Sequence, residues 1–197
     1  FNMMLLDSES FKRARITIYL AFINVSLYLV FLLSQDAEIY LLFVQINDKV
    51  LERLELWRLF TSMFLHSDVL HLISNIIGLL LFGTFIENLA SKKAYLIIYF
   101  VSGIIGNIMS LFLLPSNVIS LGASGAIYGL IGATVLIIIL ERNTAQLLIT
   151  FVYLIYFIIT SFSPQINYAS HIFGLISGFV LGYYFIRGTI LEKYTSY

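Results

Sequence analysis

The stretch ISLGASGAIYGLIGATVLIIIL, residues 119–140, carries no charge, and glycines recur in it at 122, 125, 129 and 132. At about 1.5 Å per residue it is long enough to cross the roughly 30 Å hydrocarbon core of a bilayer. A helix on a soluble protein needs a polar face, and this one has none. Working outward, comparably pure runs are Ile16–Ser34, Ala94–Leu114 and Ala145–Phe162. Val69–Glu87 contains His71 and Asn75, and Tyr168–Ile186 contains His171, yet both are otherwise apolar enough to span. The expectation is an all-α polytopic membrane protein of six transmembrane helices, a single membrane domain over residues 1–197.

Composition agrees: 60% of the 197 residues are hydrophobic and 11% charged, against roughly 25% charged in soluble domains. The absence of cysteine excludes disulfides, iron–sulfur clusters and a catalytic thiol. Eleven basic and eleven acidic residues cancel, so there is no basic surface for nucleic acid. Connections are short except for one long segment, 35–68; Pro115 and Ser163-Pro164 mark helix ends. The first apolar run is long and lacks a small-residue cleavage site, so it reads as a retained helix rather than a leader. Lys12, Arg13, Arg15, Lys92, Lys93, Arg142, Arg187 and Lys193 fall on one side of six spans, and Lys49, Arg53 and Arg58 on the other. This bias predicts both termini in the cytoplasm of a multi-pass cell-membrane protein, with loop 35–68 outside.

Polar groups are costly in hydrocarbon, so those inside spans mark function. His71 lies about three residues into the second span, Ser124 about six into the fourth and His171 about four into the sixth, all three entering from outside. These depths predict one layer within about 10 Å of the outer surface. Gly122 and Gly125 beside Ser124, and Gly174 and Gly178 below His171, form small-residue faces that let helix backbones approach. A serine hydroxyl needs an adjacent base, for which neutral histidine suits, and a tetrahedral oxyanion needs fixed donors. Ser124 with His171, opposite His71, Asn75 and the Ser124 amide, would permit acyl transfer by a dyad, since no carboxylate lies at this depth.

The residues resemble those of the rhomboid family of intramembrane serine proteases, from the first span to the sixth. Gly122-Ala123-Ser124-Gly125 is similar to the family's nucleophile motif and is followed by Tyr128, the aromatic on which its histidine packs. His66, His71 and Asn75 match its His-x4-His-x3-Asn pattern, Trp57-Arg58 its Trp-Arg pair, and His171 with Gly174 and Gly178 its sixth helix. The resemblance implies Ser124 as nucleophile, His171 as base, and an oxyanion hole of His71, Asn75 and the Ser124 amide. It implies that Glu87 braces the long loop, that the loop dips into the outer leaflet, and that no cofactor is needed. Substrates would be single-span or polytopic membrane proteins cut near their outer end. Two departures stand out: Ser170 where alanine is usual, and Tyr168 where asparagine is frequent, with Asn167 adjacent.

Other readings of the same residues are a non-catalytic rhomboid-like protein that binds membrane helices, and a small transporter, which would need polar groups through the full depth. Zinc is disfavoured because His66 and His71, five apart, would diverge on a helix. Asn24 and Asn107 read as helix packing. In the long loop, Ile39–Val44 and Leu59–Leu65 are too short to span, and Val50, Leu51 and Leu54 suggest an amphipathic interfacial segment.

Overall fold

The computed structural model describes residues 8–141, 151, 152, 155 and 167–195. A short helix α1 (Ser8–Arg13) leads into α2 (Arg15–Ser34), and the long loop folds into α3 (Ala37–Phe43), α4 (Asn47–Arg53) and α5 (Arg58–Thr61). A 3-10 turn, Ser62–Phe64, then precedes α6, which runs over Val69–Leu89. The remaining helices are α7 (Lys92–Leu113), α8 (Ser124–Glu141), α9 (Tyr168–Phe185) and α10 (Arg187–Thr195).

Helices α2, α6, α7 and α8 are long and apolar enough to cross a membrane. At 18 residues α9 has the same length as α8, its apolarity lowered by residues such as His171 and Ser177. The fifth predicted span, Ala145–Phe162, lies outside the described residues except for 151, 152 and 155, which are helical.

The central helix is α8. In its span 72% of residues are buried, against 17% for α2, whose Phe22 and Leu33 face outward as lipid-contacting surface. Helix α9 packs on α8 and α7 so closely that side chains are excluded. A Cβ on Gly178 would stand 1.8 Å from the Gly129 carbonyl oxygen, and one on Gly174 2.2 Å from that of Gly125. The glycine faces foreseen for these two spans therefore meet backbone to backbone.

Helix ends follow local chemistry. Asp36, Asp68, Ser91 and Asn167 each cap a helix by accepting a backbone N–H. Leu114 turns extended because the residue before a proline is forced out of the helical region. Within α6, residues Leu79–Gly83 form a wider π turn. There Gly83 lies against the Thr17 and Tyr95 hydroxyls, and a Cβ would stand 2.9 Å from Thr17 Oγ1.

Two expectations are corrected. The fourth span was placed from Ile119, but α8 begins at Ser124. Residues Ile119–Ser120 instead pair antiparallel with Gln45–Ile46, and Gly122 adopts φ +117°, open to glycine alone without strain. Ser124 is thus the first residue of its helix rather than about the sixth. The proposed amphipathic segment also divides: Val50 is buried on α4 and Leu51 exposed, while Leu54 lies beyond the helix at φ 57°.

Candidate active site

Because α8 starts at Ser124, the hydroxyl stands at the helix mouth, where first-turn N–H groups have no partner within the helix. The close α8–α9 seam brings His171 over it, with Nε2 at 2.8 Å from Ser124 Oγ. The His171 ring stacks on Tyr128, centroids 4.3 Å apart and planes 18° from parallel. One turn of α8 separates Ser124 from Tyr128, so a single helix presents both the hydroxyl and the ring that holds its partner.

On α6, the Asp68 cap accepts the His71 backbone N–H at 2.9 Å, and Ser67 Oγ lies 3.1 Å from His71 Nδ1. These contacts orient His71 so that its Nε2 would be 2.7 Å from a Cβ on Gly122. The turn before Ser124 therefore needs glycine for its dihedral and again for space. The His71 N–H bond, and then the Ser67 hydroxyl, hold the Asp68 carboxyl below its ordinary pKa. Asn75, one turn on, is buried, and its amide donates to the His71 carbonyl at 2.8 Å. That bond uses one of the two amide N–H groups and leaves the second.

His66 is 3% exposed, and neither ring nitrogen has a hydrogen-bond partner among the described residues. Burial first, and neighbouring His71 second, push its pKa down to about 3. Its ring meets that of His71 edge to face at 5.1 Å. The two histidines therefore do not diverge as expected: His66 precedes the Asp68 cap, so both are not on one helix. A cavity of about 300 Å³ lies beside His66, lined also by Tyr28, Phe31 and Tyr40.

Arg58 holds the loop together. Its guanidinium is buried, donates to the carbonyls of Leu41 and Val44 at 2.6 and 2.7 Å, and pairs with Glu55 at 2.5 Å. Trp57, 51% exposed, donates from Nε1 to the Leu42 carbonyl. Glu87 does not brace this loop. It accepts the N–H groups of Ile16 and Thr17 at 2.9 and 2.8 Å, capping α2 at the opposite end of the bundle. The reason is position: Glu87 lies eighteen residues into α6, about 27 Å along the helix from the loop. Glu55 supplies the carboxylate instead, and its spacing of three from Arg58 was the sequence signal for it.

The two departures resolve locally. Tyr168 turns outward, while Asn167 caps α9, accepting the Ser170 N–H at 2.9 Å and donating to Ser120 Oγ at 2.9 Å. Ser170 fits between glycines: its Oγ would stand 2.7 Å from a Cβ on Gly106 and 2.3 Å from one on Gly125. Asn107, read as packing, donates to the Leu59 carbonyl and to Ser62 Oγ.

The fold and this arrangement define a polytopic all-α membrane protein with a serine and a histidine hydrogen-bonded at one end of its central helices. The Rhomboid domain family model matches residues 53–188 of the 197. The chain is 38% identical over 136 residues to the "Putative rhomboid protease YdcA" of Bacillus subtilis (strain 168), covering 66% of this chain and 67% of that protein. It is 32% identical over 182 residues to "Rhomboid protease GluP" of the same organism, covering 88% of this chain and 36% of that protein. It is also 34% identical over 140 residues to "RHOMBOID-like protein 6, mitochondrial" of Arabidopsis thaliana, 68% of this chain and 45% of that one. This chain belongs to the rhomboid family. It spans less than half the length of the latter two relatives.

Proposed function

We propose that the protein is an intramembrane serine endopeptidase that cuts transmembrane substrates near their extracytoplasmic end. The observation that carries this reading is the 2.8 Å contact between Ser124 Oγ and His171 Nε2, with the imidazole stacked on Tyr128. Both Bacillus subtilis relatives carry the word protease in their names, which supports the reading.

In this mechanism His171 takes the hydroxyl proton as Ser124 Oγ attacks the scissile carbonyl carbon. Negative charge collects on the carbonyl oxygen, where His71, the free N–H of Asn75 and the Ser124 amide at the helix mouth supply donors. The helix N-terminus adds favourable partial positive charge at the same point. His171 then gives its proton to the leaving amine as the carbon–nitrogen bond breaks. Water, deprotonated by the same imidazole, attacks the acyl-enzyme and releases the acid and free Ser124. Arg58 and Glu55 serve by fixing the loop that precedes α6, and His66 by packing on His71.

A six-span reading puts eight of the eleven Lys and Arg residues of the sequence on the side opposite the loop, and that bias supports cytoplasmic termini in a cell membrane and a site facing outward. Substrate helices must unwind locally to expose a carbonyl, so helix-weakening residues near the cut are favoured. The test is cleavage of a single-span reporter in liposomes by wild type and Ser124→Ala. Equal cleavage by both sinks the assignment of Ser124. A fluorophosphonate that labels the folded wild type but not Ser124→Ala separates a hydrolase from a non-catalytic helix-binding relative.

A further inference from the structure

Asn107 lies at the middle of a hydrogen-bond network that ends on both sides of the Ser124–His171 pair. Its side chain is 7% exposed. The amide donates to the Leu59 carbonyl at 2.9 Å and to Ser62 Oγ at 3.2 Å, and its oxygen accepts from Ser170 Oγ at 3.3 Å. Ser62 in turn accepts the Gly122 N–H on its carbonyl at 2.9 Å, so one branch fixes the positive-φ turn two residues before Ser124. Ser170 immediately precedes His171, and its hydroxyl is packed on Gly125, the residue after Ser124. The Asn107 carbonyl also accepts from Gln45 Nε2 at 3.1 Å, at the strand that pairs with Ile119–Ser120.

We infer that Asn107 is a positioning residue that sets the Ser124 Oγ to His171 Nε2 contact by tying the turn before the serine to the residue before the histidine. It rests on the reading of that pair as the hydrolytic site, though it concerns their geometry and not the chemistry. Asn107 touches neither reacting atom. A planar amide suits the task because it donates two hydrogen bonds and accepts on a third side, joining α5, the 3-10 turn and α9 through one rigid group on α7. Burial makes the arrangement sensitive, since losing the amide leaves three polar partners unpaired in a water-poor interior. Asn24 supplies a contrast. It is buried more completely still, but its amide donates to the Leu20 carbonyl within its own helix, away from the site.

The test is 15N-histidine NMR of the full chain in phospholipid nanodiscs. With three histidines in the sequence, the ring that changes in Ser124→Ala is assigned to His171. In Asn107→Leu that signal is expected to move toward its Ser124→Ala position, and fluorophosphonate labelling of Ser124 to slow by about tenfold or more. Ser170→Ala, which cuts a single branch, should move it part of the way and stands as the test if Asn107→Leu does not fold. Asn24→Leu should leave the signal in place. An unmoved His171 signal in both Asn107→Leu and Ser170→Ala overturns the inference, as does an equal displacement in Asn24→Leu. A folded wild type that is never labelled would sink the protease reading, while the His171 signal still decides the role of Asn107.

Discussion

The end of the bundle that holds Ser124 and the seam deeper between α8 and α9 are built by different means. At the Ser124 end, helices and loop are joined through side chains, with Asn107, Asn167 and Arg58 each bonding to two or more separated segments. Along the seam there is almost no side chain at all: Gly178 lies on Gly129, and Gly132 on the Leu175 carbonyl. The difference teaches where directionality is needed. Close backbone contact holds two helices together over many residues but tolerates small slides along the axis. Hydrogen bonds to fixed carbonyls fix the last few tenths of an ångström that a serine–histidine pair requires.

The strongest way to break this contrast is Gly178→Leu. The added Cβ meets the Gly129 backbone, which cannot rotate away, so the helices must separate. A loss of about 3 kcal/mol or more is expected, read as a lowered unfolding midpoint in detergent together with loss of Ser124 labelling. Arg58→Leu should act on one end only. It leaves the Leu41 and Val44 carbonyls and Glu55 unpaired, costing about 2–3 kcal/mol. Limited proteolysis is expected to open the segment between α3 and α5 while the glycine seam stays intact; equal protection in wild type and variant would count against Arg58 as the brace.

His66 gives a pH-dependent version of the same comparison. Its pKa in the folded chain is about 3, below the ordinary histidine value of about 6.5. The folded state therefore binds this proton less readily than the unfolded one. Its contribution is complete above about pH 6.5 and is lost as pH falls from there toward 3, about 2 kcal/mol by pH 5. His66→Gln should flatten that part of the stability-against-pH curve, and an unchanged slope would show that His66 does not carry it. The smallest effect belongs to Glu87→Gln, which weakens the cap on α2 at the far end by about 0.5–1 kcal/mol. Labelling of Ser124 should stay within about twofold of wild type, because no bond from Glu87 reaches the site.

Much of this was legible in the residue order because a bilayer imposes simple rules. Uncharged runs of span length gave the helices, and Ser124, His71 and His171 were conspicuous as polar groups within or bordering them. The glycines at 125, 129, 174 and 178 announced a close seam. The start of α8 was misplaced because Ile119–Leu121 is uncharged and runs on from the span, while the strand pairing that excludes it from the helix depends on Gln45 and Ile46, more than seventy residues earlier. Glu87 was given the wrong partner because a resemblance supplies a role without saying which groups lie within reach. Asn107 passed as packing because an intramembrane asparagine that bonds its own helix, as Asn24 does, is indistinguishable in sequence from one that reaches three other segments.

The sequence by itself determined the solvent, the helices and the residue types available for chemistry, since hydropathy and backbone satisfaction in lipid depend on local composition. The tertiary structure alone decided that Ser124 opens its helix, that His171 meets it at 2.8 Å, and that Asn107 joins the two flanks. Those facts are distances between segments far apart in the chain, and a hydrogen bond exists only where packing brings donor and acceptor together.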